Sequence, residues 1–293
     1  MNPDHALLKV VVDELSSGCI DLSRIREVEE KMPFGLSYSS IYHSLDANSI
    51  CSFSGKTVLE IGGSLPQTWV RDYLQAKRWS AVEAPVYEEL VPGGNQRSKW
   101  ASVDDPDFYQ YHLTDIETFA LRHLGEIQAN EKDDDLRYDA VYSVAAFEHI
   151  HGLGSMLKLL ANICNPGCVL YSYFTPIWSA PRGYHCDTRM NLPDYWHLCH
   201  SSMQAFDYFI DHGLDAAESE KEVYNIYKNP HINRLFPNEY LQIIHSSPWR
   251  IRAIDEINKK SVHDLGPVVA KNILRLSPMM THVVDGYRLI LDL

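Results

Sequence analysis

The 293-residue chain lacks several things whose absence narrows its function. It has no run of Lys and Arg. Acids outnumber bases, and the net charge is −13. A nucleic-acid groove needs clustered cations to neutralise phosphates, and an anionic membrane surface needs them as well. Neither partner is expected. No apolar stretch is long enough to span a bilayer. The start, Met1-Asn2-Pro3-Asp4-His5, has no basic segment and no long apolar core, so no signal peptide is expected. The six cysteines include no C-x-x-C pair. They read as reduced thiols, and the expected location is the cytoplasm. There is no internal repeat and no low-complexity tract.

What is present is a sizeable supply of core residues, 45% hydrophobic, arranged with changing period. Apolar positions at helical spacing occupy 4–16, and helix-like pieces follow near 21–32 and 38–46. From 55 to 175 strand and helix candidates alternate. The strands are expected at 57–61, 79–83, 109–113, 138–143 and 168–173, with helices at 67–76, 116–124 and 153–163. Such alternation implies parallel βαβ units in an open twisted sheet. The acidic run Glu131 to Asp135 reads as a solvated loop. Residues 176–248 break the alternation with many Trp, Tyr, His and Pro. A strand near 250–254, a helix near 264–276 and a strand near 286–292 follow, the last pair being expected to close the sheet as an antiparallel edge. The expected divisions are a helical cap (1–50), a cofactor-binding core (51–175), a substrate-lid insertion (176–248) and closing strands (249–293).

The chemistry gathers at the ends of the expected strands. Thr57-Val58-Leu59-Glu60-Ile61-Gly62-Gly63-Ser64 is a short apolar strand ending in an acid and two glycines. A strand entering a glycine turn and then a helix is how α/β sheets hold a nucleotide-like cofactor. Glu60 inside the turn suits a positive amine. Glu83 ends the next strand, at the distance where an acid accepts hydrogen bonds from ribose hydroxyls. Asp115 follows the third strand. It reads either as a contact to the exocyclic amine of a base or as a helix N-cap. A dinucleotide fingerprint would need glycines at 64 and 67, where the chain has Ser and Gln.

With Val58 to Gly63, Glu83 and Asp115, three further segments complete a pattern: Tyr138-Asp139-Ala140-Val141-Tyr142-Ser143, Phe147-Glu148-His149-Ile150 and Asn165-Pro166-Gly167. In order and spacing the chain resembles the class I S-adenosylmethionine-dependent methyltransferases, small-molecule type. The resemblance implies an α/β fold: a Rossmann-like sheet of seven strands with an antiparallel last strand, joined here by a helical N-terminal cap and a helical insertion. It implies S-adenosyl-L-methionine as cofactor and S-adenosyl-L-homocysteine as product. Glu60, Gly62, Gly63 and Ser64 would hold the methionine end, with Ser143 and Val144 lining that side. Glu83 would bind the ribose, and Asp115 the adenine, with Ala84 and Ile116 against the ring. The family's fuller glycine pattern expects glycines where this chain has Ser64 and Pro66.

The stretch Pro176 to His185, with Asp194 to Leu198, should lie over the cofactor. It also resembles an insertion of bacterial methyltransferases that modify small molecules or sugars. Trp178, Tyr184, Trp196 and His197 are the candidate substrate contacts; their plain reading is core packing. A hydroxyl or ammonium acceptor must lose a proton, and a histidine suits that task. His185 and His149 are the candidate bases, with His151 in reserve. The plainer readings are a helix-start histidine bonded to backbone for His149 and a loop histidine packed on Trp178 for His185. His185, Cys186, His197, Cys199 and His200 have zinc-ligand chemistry but match no common zinc spacing, so no metal is expected. The expected reaction is methylation of a small molecule, at oxygen first. A nitrogen or carboxylate acceptor, or a non-catalytic binding protein with the same fold, stands as alternative. The sequence leaves a homodimer open.

Overall fold

The computed structural model describes residues 3–31, 36–63, 65–85, 109–130, 136–186 and 188–293. Three helices come first: α1 (Pro3–Ser17), α2 (Leu22–Lys31) and α3 (Tyr38–Cys51). The Ser37 side chain accepts from the Ser40 N–H and fixes the start of α3. The helix then runs to Cys51, past the expected end at 46, because Ala47 and Cys51 continue its buried face.

The alternating region follows as β1 (Thr57–Ile61), β2 (Arg78–Glu83), β3 (Tyr109–Leu113), α4 (Ile116–Ala129), β4 (Tyr138–Val144), α5 (Leu153–Ile163) and β5 (Cys164–Phe174). Beyond it lie α6 (Trp196–Cys199), α7 (Ser202–Asp211), α8 (Ala216–Val223), α9 (Pro237–His245) and β6 (Arg250–Ile257). The chain ends with β7 (Lys260–Ser261), α10 (Pro267–Leu276), β8 (His282–Val283) and β9 (Gly286–Asp292).

Seven strands form one sheet in the order β3-β2-β1-β4-β5-β9-β6. Strands β1 to β5 pair in parallel, and β9 runs antiparallel to both β5 and β6. This is the seven-stranded Rossmann-like sheet that the resemblance implies, with its antiparallel last strand. The last pair, β6 and β9, closes the sheet as an antiparallel edge, as expected. Buried Tyr287, Leu289 and Leu291 set β9 in the interior, and β6, with Arg250, Arg252 and Asp255, takes the edge, where charge blocks further pairing. Asn165-Pro166-Gly167, expected as a turn before β5, interrupts its start. Tyr138 pairs with Cys164 but Ala140 with Val169, and Gly167 has φ +82°.

Alternate residues of a strand face opposite sides of a sheet, and both sides are covered here. Leu59 and Ile61 of β1 pack with Phe119 of α4, with Met156 and Leu160 of α5 and with Tyr240 of α9. Val58 packs with Ile41 and Leu45 of α3 and with Trp69 and Trp79. The N-terminal helices therefore supply one face of the sheet's own core. Asp46 of α3 fastens them. Its carboxylate accepts from Arg288 Nε (2.6 Å) and NH2 (2.9 Å) and from the Tyr171 hydroxyl (2.8 Å). His43 lies 3.0 Å from that hydroxyl through Nδ1.

Between β1 and β2 the helix expected at 67–76 starts where expected and is three residues shorter, covering 67–73, with its last five residues, Trp69–Tyr73, π-helical. The aromatic-rich segment after β5 builds its own core from Trp178, Tyr184, Trp196 and Phe209. Ala270 and Ile273 of α10 and Val283 of β8 share that core. The excursion between β6 and β9 is thus packed with the insertion. Glu131 to Asp135 lies outside the described residues. No helix among the described residues is long and apolar enough to cross a membrane.

Candidate functional site

The strand order reverses between β1 and β4, and in open α/β sheets the crevice at such a switch point receives ligands. A cavity of about 220 Å3 opens there. Its walls come from Ile61 and Gly62 after β1, Val82, Glu83 and Ala84 at the end of β2, and Thr114 and Ile116 after β3. Ala146, His149, Ile150 and His151 follow from β4, and Pro230 and His231 close it.

Gly62, Glu83, Ala84 and Ile116 of the expected cofactor contacts are therefore brought together. Gly62 has φ +86°, and a Cβ there would stand 3.0 Å from the Ala146 Cβ. It is a position for glycine on both counts. A Cβ on Gly63 would come within 2.8 Å of the Ala81 Cβ, so this glycine seats the turn on β2. Glu60 is 1% exposed and is not among the residues lining the cavity. Its carboxylate accepts from the Trp79 indole N–H (2.7 Å) and from the Leu65 N–H (3.2 Å). It braces the turn from beneath. Ser64 lies outside the described residues.

Asp115 is exposed and caps α4, accepting from the Thr118 N–H at 2.8 Å. Its neighbours Thr114 and Ile116 line the cavity while its own side chain turns to the helix. Those bonds hold its carboxyl below the usual range. Ser143 is fully buried in β4 with its Oγ unpartnered, and Val144 is half-buried. Neither is among the lining residues; Ala146 stands there instead.

The histidines sit on the far wall. His149 Nδ1 donates to the His231 carbonyl and His185 Nε2 to the Pro176 carbonyl. A carbonyl can only accept, so the tautomers follow: His149 presents its lone pair at Nε2 and His185 at Nδ1. The plainer reading of His149, bonded to backbone, describes only one of its nitrogens. Burial lowers both imidazoles, His149 to about 4, so both are neutral near pH 7. The two rings stand edge to face with centroids 5.1 Å apart. His185 has φ +54°, an uncommon conformation for a side-chain-bearing residue. It lines a second cavity of about 480 Å3 with Tyr184, Cys186, Arg182 and Arg189. His151 lies at the rim, bonded to the Pro230 carbonyl.

Of the candidate substrate contacts, Tyr184 reaches the second cavity. Trp178 is buried beneath the Arg234 guanidinium, 5.5 Å from its ring. Trp196 and His197 belong to the core of the insertion. His197 donates from Nε2 to the Trp178 carbonyl at 2.8 Å, and Trp196 stacks on His200. His200 bonds back to the Trp196 carbonyl. The zinc-like set of His185, Cys186, His197, Cys199 and His200 is thus divided among separate tasks.

Besides Ala146, Val82 and Thr114, the lining or adjoining residues Pro230, His231 and Glu148 escape sequence reading. Pro230 and His231 reach the site from the far end of the insertion, and nothing local marks them. Glu148, quoted above without a role, is 1% exposed, and neither carboxylate oxygen has a hydrogen-bond partner. The backbone N–H groups of Glu148 and Thr175 are near it but out of bonding geometry. Burial pushes its carboxyl up to about 8. Its Oε1 lies 3.9 Å from His149 Nε2.

No family model matches this chain, and no curated protein does. Solved structures similar to it include an S-adenosylmethionine-dependent methyltransferase from Mesorhizobium loti: 12% identity, 83% of this chain and 93% of the other, TM-score 0.43. Another is a cyclopropane-fatty-acyl-phospholipid synthase-like protein from Lactobacillus casei, at 13% identity, 93% and 100% coverage and TM-score 0.45. A third is a mycolic acid cyclopropane synthase complexed with SAH and CTAB: 11% identity, 100% and 99% coverage, TM-score 0.45. At such identities the likeness is one of fold.

Proposed function

We propose that the protein is an S-adenosylmethionine-dependent methyltransferase acting on a small molecule, at oxygen first. The observation that carries the reading is the lining of the cavity at the switch point. It has one buried carboxylate, Glu83, an apolar slot formed by Val82, Ala84 and Ile116, and no Lys or Arg among its described lining residues. A dinucleotide would bring a pyrophosphate, which needs cations or a helix N-terminus to receive it. Here the helix after β1 is short, residues 67–73, and no cation among the described lining residues stands beside it to share the charge. A cofactor with an adenine, a ribose and no phosphate fits that wall.

Glu83 accepts from the ribose hydroxyls, the apolar slot takes the adenine, and Gly62 lets the methionine end approach the backbone. Glu60 keeps the turn in place from below, and Asp115 fixes the start of α4 so that Ile116 meets the ring. Bound in this way, S-adenosylmethionine supplies a sulfonium methyl group for in-line displacement. The protein's share is alignment and exclusion of water. Tyr184 and the second cavity receive the acceptor, and Trp178, Trp196 and His197 hold the insertion above it. The lone pairs of His149 Nε2 and His185 Nδ1 serve removal of the acceptor's proton. A carboxylate acceptor would need no such help, and an amine would need it only when protonated.

The test is calorimetric titration with S-adenosylhomocysteine, beside Glu83→Ala. Saturable binding weakened by the substitution supports the reading. No binding to well-folded protein removes it. Binding without release of S-adenosylhomocysteine from S-adenosylmethionine, over a broad acceptor screen, would favour a binding protein of the same fold.

A further inference from the structure

Glu148, His149 and His185 converge. The carboxylate of Glu148 and one nitrogen of each histidine all lie within 4.8 Å of one another. We propose that these three side chains form a binding site for a divalent transition-metal ion, zinc foremost, at the junction of the two cavities.

Three features argue for it. The first is the donor set. Two neutral imidazoles and one carboxylate, with coordination positions left open, are the ligands of open zinc and iron(II) sites. The second is the outer shell. Each histidine gives one N–H to a backbone carbonyl, His149 Nδ1 to His231 and His185 Nε2 to Pro176. That arrangement fixes the tautomer and turns a lone pair towards the ion, as outer-shell partners of metal-bound histidines do. The third is Glu148 itself. A carboxylate buried to 1% exposure without a hydrogen-bond partner is costly. A cation beside it would remove that cost.

The spacing also suits. Donor atoms around tetrahedral zinc stand roughly 3.3 Å apart. His149 Nε2 and Glu148 Oε1 are 3.9 Å apart, and small side-chain rotations draw the three donors in. His149 lines the cavity at the switch point and His185 the second cavity. The open positions of the ion would therefore face both the cofactor wall and the acceptor. The site rests on the reading of this wall as the acceptor side, and with the ion bound the lone pairs of the two histidines hold the metal in place of accepting the proton themselves. A hydroxyl coordinated there loses its proton to solvent more easily, because the cation stabilises the resulting oxyanion.

The experiment titrates zinc into EDTA-treated, dialysed full-length protein by calorimetry. Cobalt(II) absorption gives a second readout, since a low-symmetry site with two nitrogens and one oxygen yields visible bands. One ion per chain is expected, with affinity lowered at least about tenfold in Glu148→Gln and in His185→Gln. Glu148→Gln keeps the shape and the burial and removes only the ionisable carboxyl, so it should fold; circular dichroism checks both variants. Zinc held by exposed Cys19 or by Cys186 would survive Glu148→Gln undiminished, and that result overturns the proposal. Absence of binding overturns it as well. Titration with S-adenosylhomocysteine is run separately on the metal-free protein. Its failure beside intact zinc binding would remove the methyltransferase reading and leave the metal site standing.

Discussion

His149 and His185 meet edge to face, their ring planes at 88° and their centroids 5.1 Å apart, although one follows β4 and the other lies in the loop after β5. Each is anchored by one nitrogen to a backbone carbonyl. Their opposite nitrogens are therefore directed by the fold and do not depend on chance rotamers. His149 lines the cavity at the switch point and His185 the second cavity. Several measurable consequences follow from this arrangement and its supports.

Glu83→Ala should weaken S-adenosylhomocysteine binding by about 10- to 100-fold, the worth of hydrogen bonds to a charged group. Calorimetry reads the loss. An unchanged thermal midpoint would show that the effect belongs to the ligand contact and not to the fold.

Gly62→Ala should damage both stability and binding. The added Cβ meets Ala146 at 3.0 Å, and the residue must hold φ +86°. Strain of about 1–2 kcal/mol is expected. Urea unfolding measures it, and the ligand titration should weaken in parallel. A variant as stable and as tightly binding as the parent would contradict the turn geometry.

Asp46→Ala should cost about 3 kcal/mol in denaturant unfolding, because it leaves Arg288 and Tyr171 without the carboxylate they share. Arg288 keeps Asp255 at 2.6 Å, so the loss should stop short of unfolding. Thermal denaturation should show α1 to α3 melting with the sheet in one step, since they share a core.

Stability should fall as the pH drops from about 6.5 towards 4. Burial lowers His43 to about 4, with Asp46 opposing the shift and Arg288 adding to it. Tyr171 and Tyr173 flank the ring. The unfolded chain takes up the proton first, at about 6.5. The contribution is complete above that value and is lost as the pH falls, by on the order of 3 kcal/mol near pH 4. His43→Asn should reduce the difference between unfolding free energies at pH 7 and pH 4.5 by its own share, while buried His149 and His197, also lowered to about 4, keep theirs. An unchanged slope would show that His43 is not the group responsible.

The sequence was informative where function depends on local pattern. The strand at Thr57–Ile61, the acid at Glu83 and the glycine at Gly62 lie where their order along the chain requires, because each strand end and the turn after it are adjacent in sequence. Asp115 showed the limit of such reading. Its two candidate roles share one position, and the geometry directs the carboxylate to the Thr118 N–H. Glu60 differs in the same way, since the Trp79 indole that takes its carboxylate belongs to another strand.

By itself, then, the sequence determined the alternation of strands and helices, the parallel sheet and the chemical character of the β1–β2 ends. Hydrophobic period and turn chemistry are short-range properties, read within a few residues. Only the tertiary structure decided that β9 would lie inside the sheet, that Pro230 and His231 would close the cavity, and that Trp196 and His197 would be core. It alone brought Glu148, His149 and His185 together. Those outcomes depend on which distant surfaces bury one another, a competition among long-range contacts that no local pattern records.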